Sequence, residues 1–171
     1  MLTKVWATSL LCLSLVAAGP IANLSVLSDL TTVKNNVQTL DKDVKSWDGT
    51  LITALSMLDD VKTLESDLKT AISDTKAASA FSTSDSTTAT KDIASLKPII
   101  STTLDDLVGK KSDIANIGET STVKSSLKEL KNLSDQLGTA LEAKATSNDA
   151  DTIKSAVSAI DSDFTTAISA F

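Results

Sequence analysis

Apolar residues recur every three or four positions along most of the chain, which is the spacing of one face of an α-helix. A first stripe runs from Leu24 to Trp47 and ends at Asp48-Gly49. A second stripe runs from Leu51 to Ile72, and Thr50 stands where it can cap that helix. No segment shows the strict alternation of a half-buried β-strand. The pattern therefore predicts helices only.

A third stripe follows a hydroxyl-rich segment at residues 79–90, in which we expect Ser84 or Asp85 to be the helix cap. Pro98 lies inside this stripe. Because proline removes a backbone donor and its ring clashes with the preceding turn, we expect the third helix to be kinked there. Gly109 or Gly118 marks its end, and Ile114 is a candidate last member of the stripe.

Two more stripes, at residues 123–141 and 153–168, complete the chain, the last one after a Ser147-Asn148 cap. Amphipathic helices joined by short loops hide their apolar faces against one another. The sequence thus predicts an all-α fold, an antiparallel bundle of about five amphipathic helices, as a single domain over residues 24–171.

The first residues resemble a secretion leader. Lys4 supplies a positive charge, a short apolar run follows at residues 10–16, and Val16-Ala17-Ala18 offers small side chains for cleavage. We expect residues 1–18 to be a removed signal peptide, residues 19–23 to be a short N-terminal tail, and the protein to be secreted and extracellular.

Removal of this leader takes away the one Cys and leaves a chain without His, Arg, Tyr or Cys. Its net charge becomes 15 − 22 = −7, with acids and lysines interspersed. Such a surface does not fit nucleic acid, which needs a clustered positive face. The absence of His and Cys also removes the usual zinc ligands and general bases, so we expect no metal, no cofactor and no enzymatic activity.

Four Ser-x-x-Lys pairs are the nearest approach to a catalytic motif, since a lysine amine could deprotonate a serine at that spacing. No accompanying Ser-Asp-Asn or Lys-Thr-Gly element occurs, and solvated helix faces explain the pairs better. The adjacent acids Asp59-Asp60 and Asp105-Asp106 diverge by about 100° on a helix and do not form a metal site. Asn23 and Asn132 begin glycosylation sequons.

The chain resembles the fungal hydrophobic surface-binding protein and cell wall galactomannoprotein family. The stretch from Leu27 to Val44 with Trp47-Asp48-Gly49 is similar to the start of that domain, and residues 51–68 are similar to its second helix. The resemblance covers residues 24–171, in one copy. Some family members carry two copies, or a Ser/Thr-rich tail with an anchor signal, so the resemblance favours a freely secreted form over stable wall attachment.

The resemblance implies a non-enzymatic domain that adsorbs to hydrophobic surfaces, brings secreted hydrolases to polyester substrates, or encloses a fatty acid or other lipid between its helices. The alternative is a structural or antigenic cell wall mannoprotein, associated with wall polysaccharide, whose stripes all pack as core. A lumen between aliphatic stripes would be apolar. The residues predicted to line it are Leu30, Val37, Leu40, Val44, Leu55, Leu58, Ile100, Leu104, Leu130, Leu137, Val157, Ile160 and Phe164.

Overall fold

The computed structural model describes residues 19–171, so the predicted signal peptide at residues 1–18 lies outside the described residues. The described chain forms six α-helices and no strand, which confirms the predicted all-α class. The helices are α1 (Gly19–Ser46), α2 (Leu51–Ala77), α3 (Thr83–Gly109), α4 (Lys111–Asn116), α5 (Thr120–Glu142) and α6 (Ser147–Ala170).

The first helix begins earlier than its apolar stripe. Residues 19–23, expected to be a tail, belong to α1. Pro20 does not prevent this, because proline is tolerated in the first turn of a helix, where its missing N–H would have no partner. The prediction of a tail was wrong because the stripe marks where the helix packs and not where it begins.

The third helix ends at Gly109, and Ile114 belongs to the separate short helix α4. The short helix α4 was not predicted, because its six residues are too few to show a periodic stripe. α3 runs without interruption through Pro98, and the kink at that residue stays a prediction.

Hydroxyl side chains and turns set the helix boundaries. Thr50 caps α2, as predicted, and accepts a hydrogen bond from the backbone N–H of Thr53. Ser82, not Ser84 or Asp85, caps α3 by accepting from the N–H of Asp85 at 3.1 Å. α6 begins one residue earlier than predicted, so that Thr146 occupies its cap position.

The five long helices form a closed ring in the order α1, α2, α5, α6, α3. Successive long helices alternate in direction, as an up-and-down bundle requires. Chain neighbours pack as antiparallel pairs only at α1/α2 and α5/α6, however. The pairs α1/α3, α2/α5 and α3/α6 run parallel, because α3 sits between α1 and α6 and does not contact α2 extensively. The ring is therefore built from two hairpins joined through α3.

The helices of the ring are closely packed at the following positions. Leu30, Leu141 and Ile153 are fully buried in the main core. The closest approach of α5 and α6 is at Gly138, where a Cβ atom would lie 2.6 Å from a methyl carbon of Val157. Only glycine fits there without a shift of that valine. The same pair of helices is joined by an ion pair between Lys131 and Asp161.

None of the described helices combines the length and the apolarity that crossing a membrane requires.

Candidate functional site

A cavity of about 150 Å³ lies inside the ring, and every long helix contributes to its lining. The lining is almost entirely aliphatic, as the stripes predict. Eleven of the thirteen residues predicted for a lumen line it, whereas their binding of a ligand stays a prediction. They are Val37, Leu40, Val44, Leu58, Ile100, Leu104, Leu130, Leu137, Val157, Ile160 and Phe164.

Two residues predicted for the lumen lie elsewhere. Leu30 is fully buried in the main core and is not part of the cavity lining. Leu55 lies on the outside of α2, with 51% of its surface exposed. The neighbouring Ala54 is the residue that faces the cavity. The prediction for α2 followed the large side chains, although the inward position there holds a small one.

Polar side chains interrupt the aliphatic lining at four positions that the stripes did not identify: Thr103, Glu119, Ser126 and Ser134. The Thr103 hydroxyl lies 2.8 Å from the Ile99 carbonyl oxygen and 3.0 Å from Oδ1 of Asp41, so its one proton is shared by two acceptors. Thr103, Ser126 and Ser134 each stand directly beside a leucine, whereas Glu119 lies between Gly118 and Thr120. The sequence signal of the three hydroxyl groups is a polar residue next to an apolar one, which is common on any helix.

An apolar cavity of this size is larger than close packing of side chains leaves. Natural interiors contain few voids larger than a water molecule. The size and the apolar lining of this cavity therefore point to a use other than packing.

One end of the cavity is closed by a second, smaller apolar cluster. Its buried members are Trp47, Ala54 and Ile114, and Ile114 is the one buried residue of α4. Trp47 donates from Nε1 to the Thr50 carbonyl oxygen at 2.9 Å, and Lys110 lies 5.8 Å from the centre of its ring. We call this end of the bundle, made by residues 47–50 and 110–119, the α4 end. A short helix anchored by one buried side chain closes it.

The α1/α2 seam of the ring carries a ladder of polar pairs. Asp29, Asn36 and Asp43 lie seven residues apart on α1, and Asp74, Asp67 and Asp60 face them in the reverse order on α2. The middle pair is complementary, because Asn36 Nδ2 donates to Asp67 Oδ2 at 2.5 Å. In each of the two outer pairs, Asp29–Asp74 and Asp43–Asp60, two carboxyl groups face each other.

Two carboxyl groups in this seam have raised pKa values. Burial raises the pKa of Asp29, and the charge of Asp74 raises it further. Oδ2 of Asp29 is buried without a hydrogen-bond partner. Burial, followed by the charge of Asp43, likewise raises the pKa of Asp60. A carboxyl whose folded-state pKa is raised stabilises the fold most below its unfolded value, near 3.8, and this contribution is lost as the pH rises through the folded-state pKa.

We expect Asp29→Asn to stabilise the protein at pH 7 by about 1 kcal/mol, because an amide facing Asp74 would reproduce the Asn36–Asp67 hydrogen bond. As the pH falls from 7 toward 3.8, the wild type should gain stability relative to the variant, because the raised pKa of Asp29 favours proton uptake by the folded state. Urea unfolding at a series of pH values across this range measures the difference. Asp105→Asn, at an exposed position of α3, is the control. Equal pH dependence of Asp29→Asn and wild type would contradict the assignment.

The two sequons differ in their surroundings. Asn132 is exposed on α5. Asn23 is 7% exposed within α1, and its Oδ1 atom is buried without a hydrogen-bond partner. Of the two predicted glycosylation sites, Asn132 is therefore the one that the fold presents to solvent. Within residues 19–171, no group of three or more acidic, His or Cys side chains is placed to hold a metal ion.

Comparison with solved structures shows close similarity to fatty-acid complexes. The crystal structure of Afmp4p in complex with palmitic acid has 40% sequence identity and a TM-score of 0.84, covering 86% of this chain and 98% of that one. Ligand binding domain 1 of the Penicillium marneffei MP1 protein, complexed with arachidonic acids, has 18% identity and a TM-score of 0.80, with 86% and 97% covered. At that identity the likeness concerns the fold. No curated protein sequence gives a significant match.

A family model adds evidence from sequence. The model of hydrophobic surface binding protein A matches residues 24–143, which include α1 from its sixth residue, α2, α3, α4 and α5. This region supplies four of the five long helices of the ring and most of the cavity lining. The chain therefore belongs to the hydrophobic surface binding protein A family.

Proposed function

We propose that this protein is a non-enzymatic lipid-binding protein that encloses the acyl chain of a fatty acid in the cavity of its helical ring. The observation that carries the proposal is the aliphatic cavity of about 150 Å³ in a chain 40% identical to a protein crystallised with palmitic acid. The eleven lining residues named above, together with Trp47 and Met57, are the proposed contacts of the acyl chain.

The cavity suits an acyl chain because it offers apolar contacts and little competition from water. Apolar cavities of about this volume stay dry and bind small hydrocarbons. Each methylene that leaves water for such a site contributes about 0.8 kcal/mol.

The head group of the ligand needs a polar partner. Ser126 and Ser134 line the cavity on the same helix, and their hydroxyl groups can donate to a carboxylate. Glu119 lines the cavity near the start of α5 and would repel a carboxylate there. We therefore place the carboxylate beside the two serines and the acyl tail toward the α4 end.

Secretion, surface adsorption and partners complete the proposal. The predicted leader at residues 1–18 supports an extracellular location, and adsorption to hydrophobic surfaces agrees with the family. Recruitment of a secreted polyester hydrolase, association with wall polysaccharide and glycosylation of Asn132 rest on the resemblance and on the exposed sequon. We propose no catalytic role for any side chain.

The test follows the emission of Trp47, which lines the cavity, in a Trp6→Phe chain where it is the remaining tryptophan. Titration with palmitic acid should give a saturable shift in emission. At a ligand concentration of a hundred times Kd, the free energy of unfolding should rise by about 2.7 kcal/mol, because the ligand binds the folded ring alone. Thermal unfolding with and without ligand measures this rise.

Apolar beads in place of fatty acid separate enclosure from adsorption. An emission shift with beads alone would indicate adsorption without an internal site. Unchanged emission and unchanged thermal stability with both additions would exclude the lipid-binding proposal and leave the structural wall protein.

A further inference from the structure

Three large apolar side chains stand exposed together at the beginning of α2. Ile52 is 82% exposed, Leu55 is 51% exposed and Leu51 is 45% exposed. We call these three residues the α2 patch. They lie in a run without any charged side chain between Asp48 and Asp59, in a protein of which 22% of the residues are charged. A cluster of exposed aliphatic groups in such a chain indicates an interaction surface.

The α2 patch adjoins the cavity. Ala54, Met57 and Leu58 alternate with the patch residues along the same turns of α2, and all three line the cavity. Ala54 also belongs to the apolar cluster that closes the α4 end. The α2 patch and part of the cavity lining are therefore adjacent residues of one helix, next to the apolar cluster at the α4 end.

The size and chemistry of the α2 patch fit a lipid surface better than a protein partner. A stable protein interface uses about 20–30 residues on each side and surrounds its apolar centre with a polar rim. Three aliphatic side chains are too few for that, but each can insert separately among the molecules of a lipid surface. Three carboxyl groups border the patch, those of Asp48, Asp59 and the nearby Asp113, and they outnumber the ammonium group of Lys110 beside Trp47. An uncharged or zwitterionic surface therefore fits better than an anionic one.

We propose that the α2 patch docks the protein on an uncharged or zwitterionic lipid surface and that the acyl chain enters the cavity through the adjoining α4 end. This inference rests on the proposed function, since it names the route by which the same cavity is filled. Docking shortens the exposure of the acyl chain to water during transfer, because the entry point lies against the lipid.

The test compares transfer from a surface with binding from solution. Leu51, Ile52 and Leu55 are all replaced by Ser, and Leu24→Ser is the matched control, because Leu24 is 69% exposed at the opposite end of the bundle. Phosphatidylcholine vesicles carrying palmitic acid supply the ligand, and Trp47 emission follows its arrival. We expect transfer to be at least about tenfold slower in the triple variant, with unchanged transfer in Leu24→Ser. Affinity for monomeric palmitic acid should stay within about twofold of wild type.

The outcomes separate the two proposals. Absence of palmitic acid binding from solution in the wild type would reject the proposed function. Normal binding from solution with equal vesicle transfer in wild type and triple variant would reject docking alone, as would equal slowing by Leu24→Ser. A wild-type dimer that the triple variant converts to monomers would assign the patch to self-association instead. Ile52→Lys, at the most exposed position, repeats the test if the triple variant does not fold.

A disulfide tests the entry route itself. A Cβ atom at Gly49 would lie 3.9 Å from Cβ of Asp113, which is within the span of a disulfide. In a Cys12→Ser background, the pair Gly49→Cys and Asp113→Cys would tie α4 to the α1–α2 connection. Gly49 has a φ of +83°, so the variant is strained, and the same protein is therefore compared before and after reduction. We expect oxidation to slow uptake of palmitic acid and reduction to restore it, whereas equal rates would overturn entry at this end.

Discussion

Val37→Phe should abolish most of the binding of palmitic acid while leaving the unliganded protein as stable as wild type or more stable. Val37 lines the cavity on α1, so the added ring atoms extend into the cavity. Removing room for four methylenes weakens binding by about 3 kcal/mol, or more than a hundredfold. Filling part of an apolar cavity can add about 1 kcal/mol to the free energy of unfolding.

Val26→Phe is the matched control for this substitution. Val26 lies on the same helix and is fully buried, but it is not part of the cavity lining. The same change there overpacks a filled core and should lower stability by about 1–3 kcal/mol. Titration of Trp47 emission and urea unfolding measure the two effects. If Val37→Phe destabilises the protein as much as Val26→Phe, the cavity is not available space.

Leu30→Ala should cause a large loss of stability with no change in ligand affinity. Leu30 is fully buried in the main core, outside the cavity lining. Truncation of a fully buried leucine costs about 2–5 kcal/mol, which corresponds to a fall in Tm of about 10 °C for a domain of this size.

Leu40→Ala provides the comparison, because Leu40 is partly buried and lines the cavity. Its truncation should cost about 1–2 kcal/mol, since part of this side chain is already exposed, and should alter the affinity for acyl chains. Differential scanning calorimetry and the emission titration read both quantities. A change in affinity on Leu30→Ala as large as that on Leu40→Ala would show that Leu30 does contact the ligand.

Leu30 and Leu40 show which part of the site could be predicted from the sequence and which could not. Both belong to one apolar stripe, and periodicity shows that both face inward. Whether an inward residue meets packed atoms or empty space depends on the helices opposite, which are distant in sequence. The cavity begins at Val33 and extends toward Trp47, so Leu30 lies just beyond it.

The error at Leu55 has a different origin. The inward face of α2 runs through Ala54, Val61, Leu64 and Leu68, and it begins with a small residue. Leu51 and Leu55 are larger and more apolar, so a pattern built on large side chains takes them as the inward face. The mismatch is informative, because it occurs where large apolar groups point outward as the α2 patch.

The α1/α2 ladder shows a third limit. In the sequence each Asp or Asn of the ladder looks like an ordinary polar residue of a helix surface. Their pairing depends on the register of the antiparallel hairpin, which brings residues 29 and 74 together, and residues 43 and 60. A heptad spacing of acids on two consecutive helices is a signal that could have revealed it, since antiparallel neighbours match such spacings in reverse.

The ring order also has a consequence for the way the chain reaches its native state. Each antiparallel hairpin, α1/α2 and α5/α6, is joined by four residues, 47–50 and 143–146. Closing such short connections costs little chain entropy, so we expect the hairpins to form early. The parallel seams α1/α3, α2/α5 and α3/α6 join more distant segments and would be completed last. The cavity inside the ring would then be closed off from water only when these three parallel seams form.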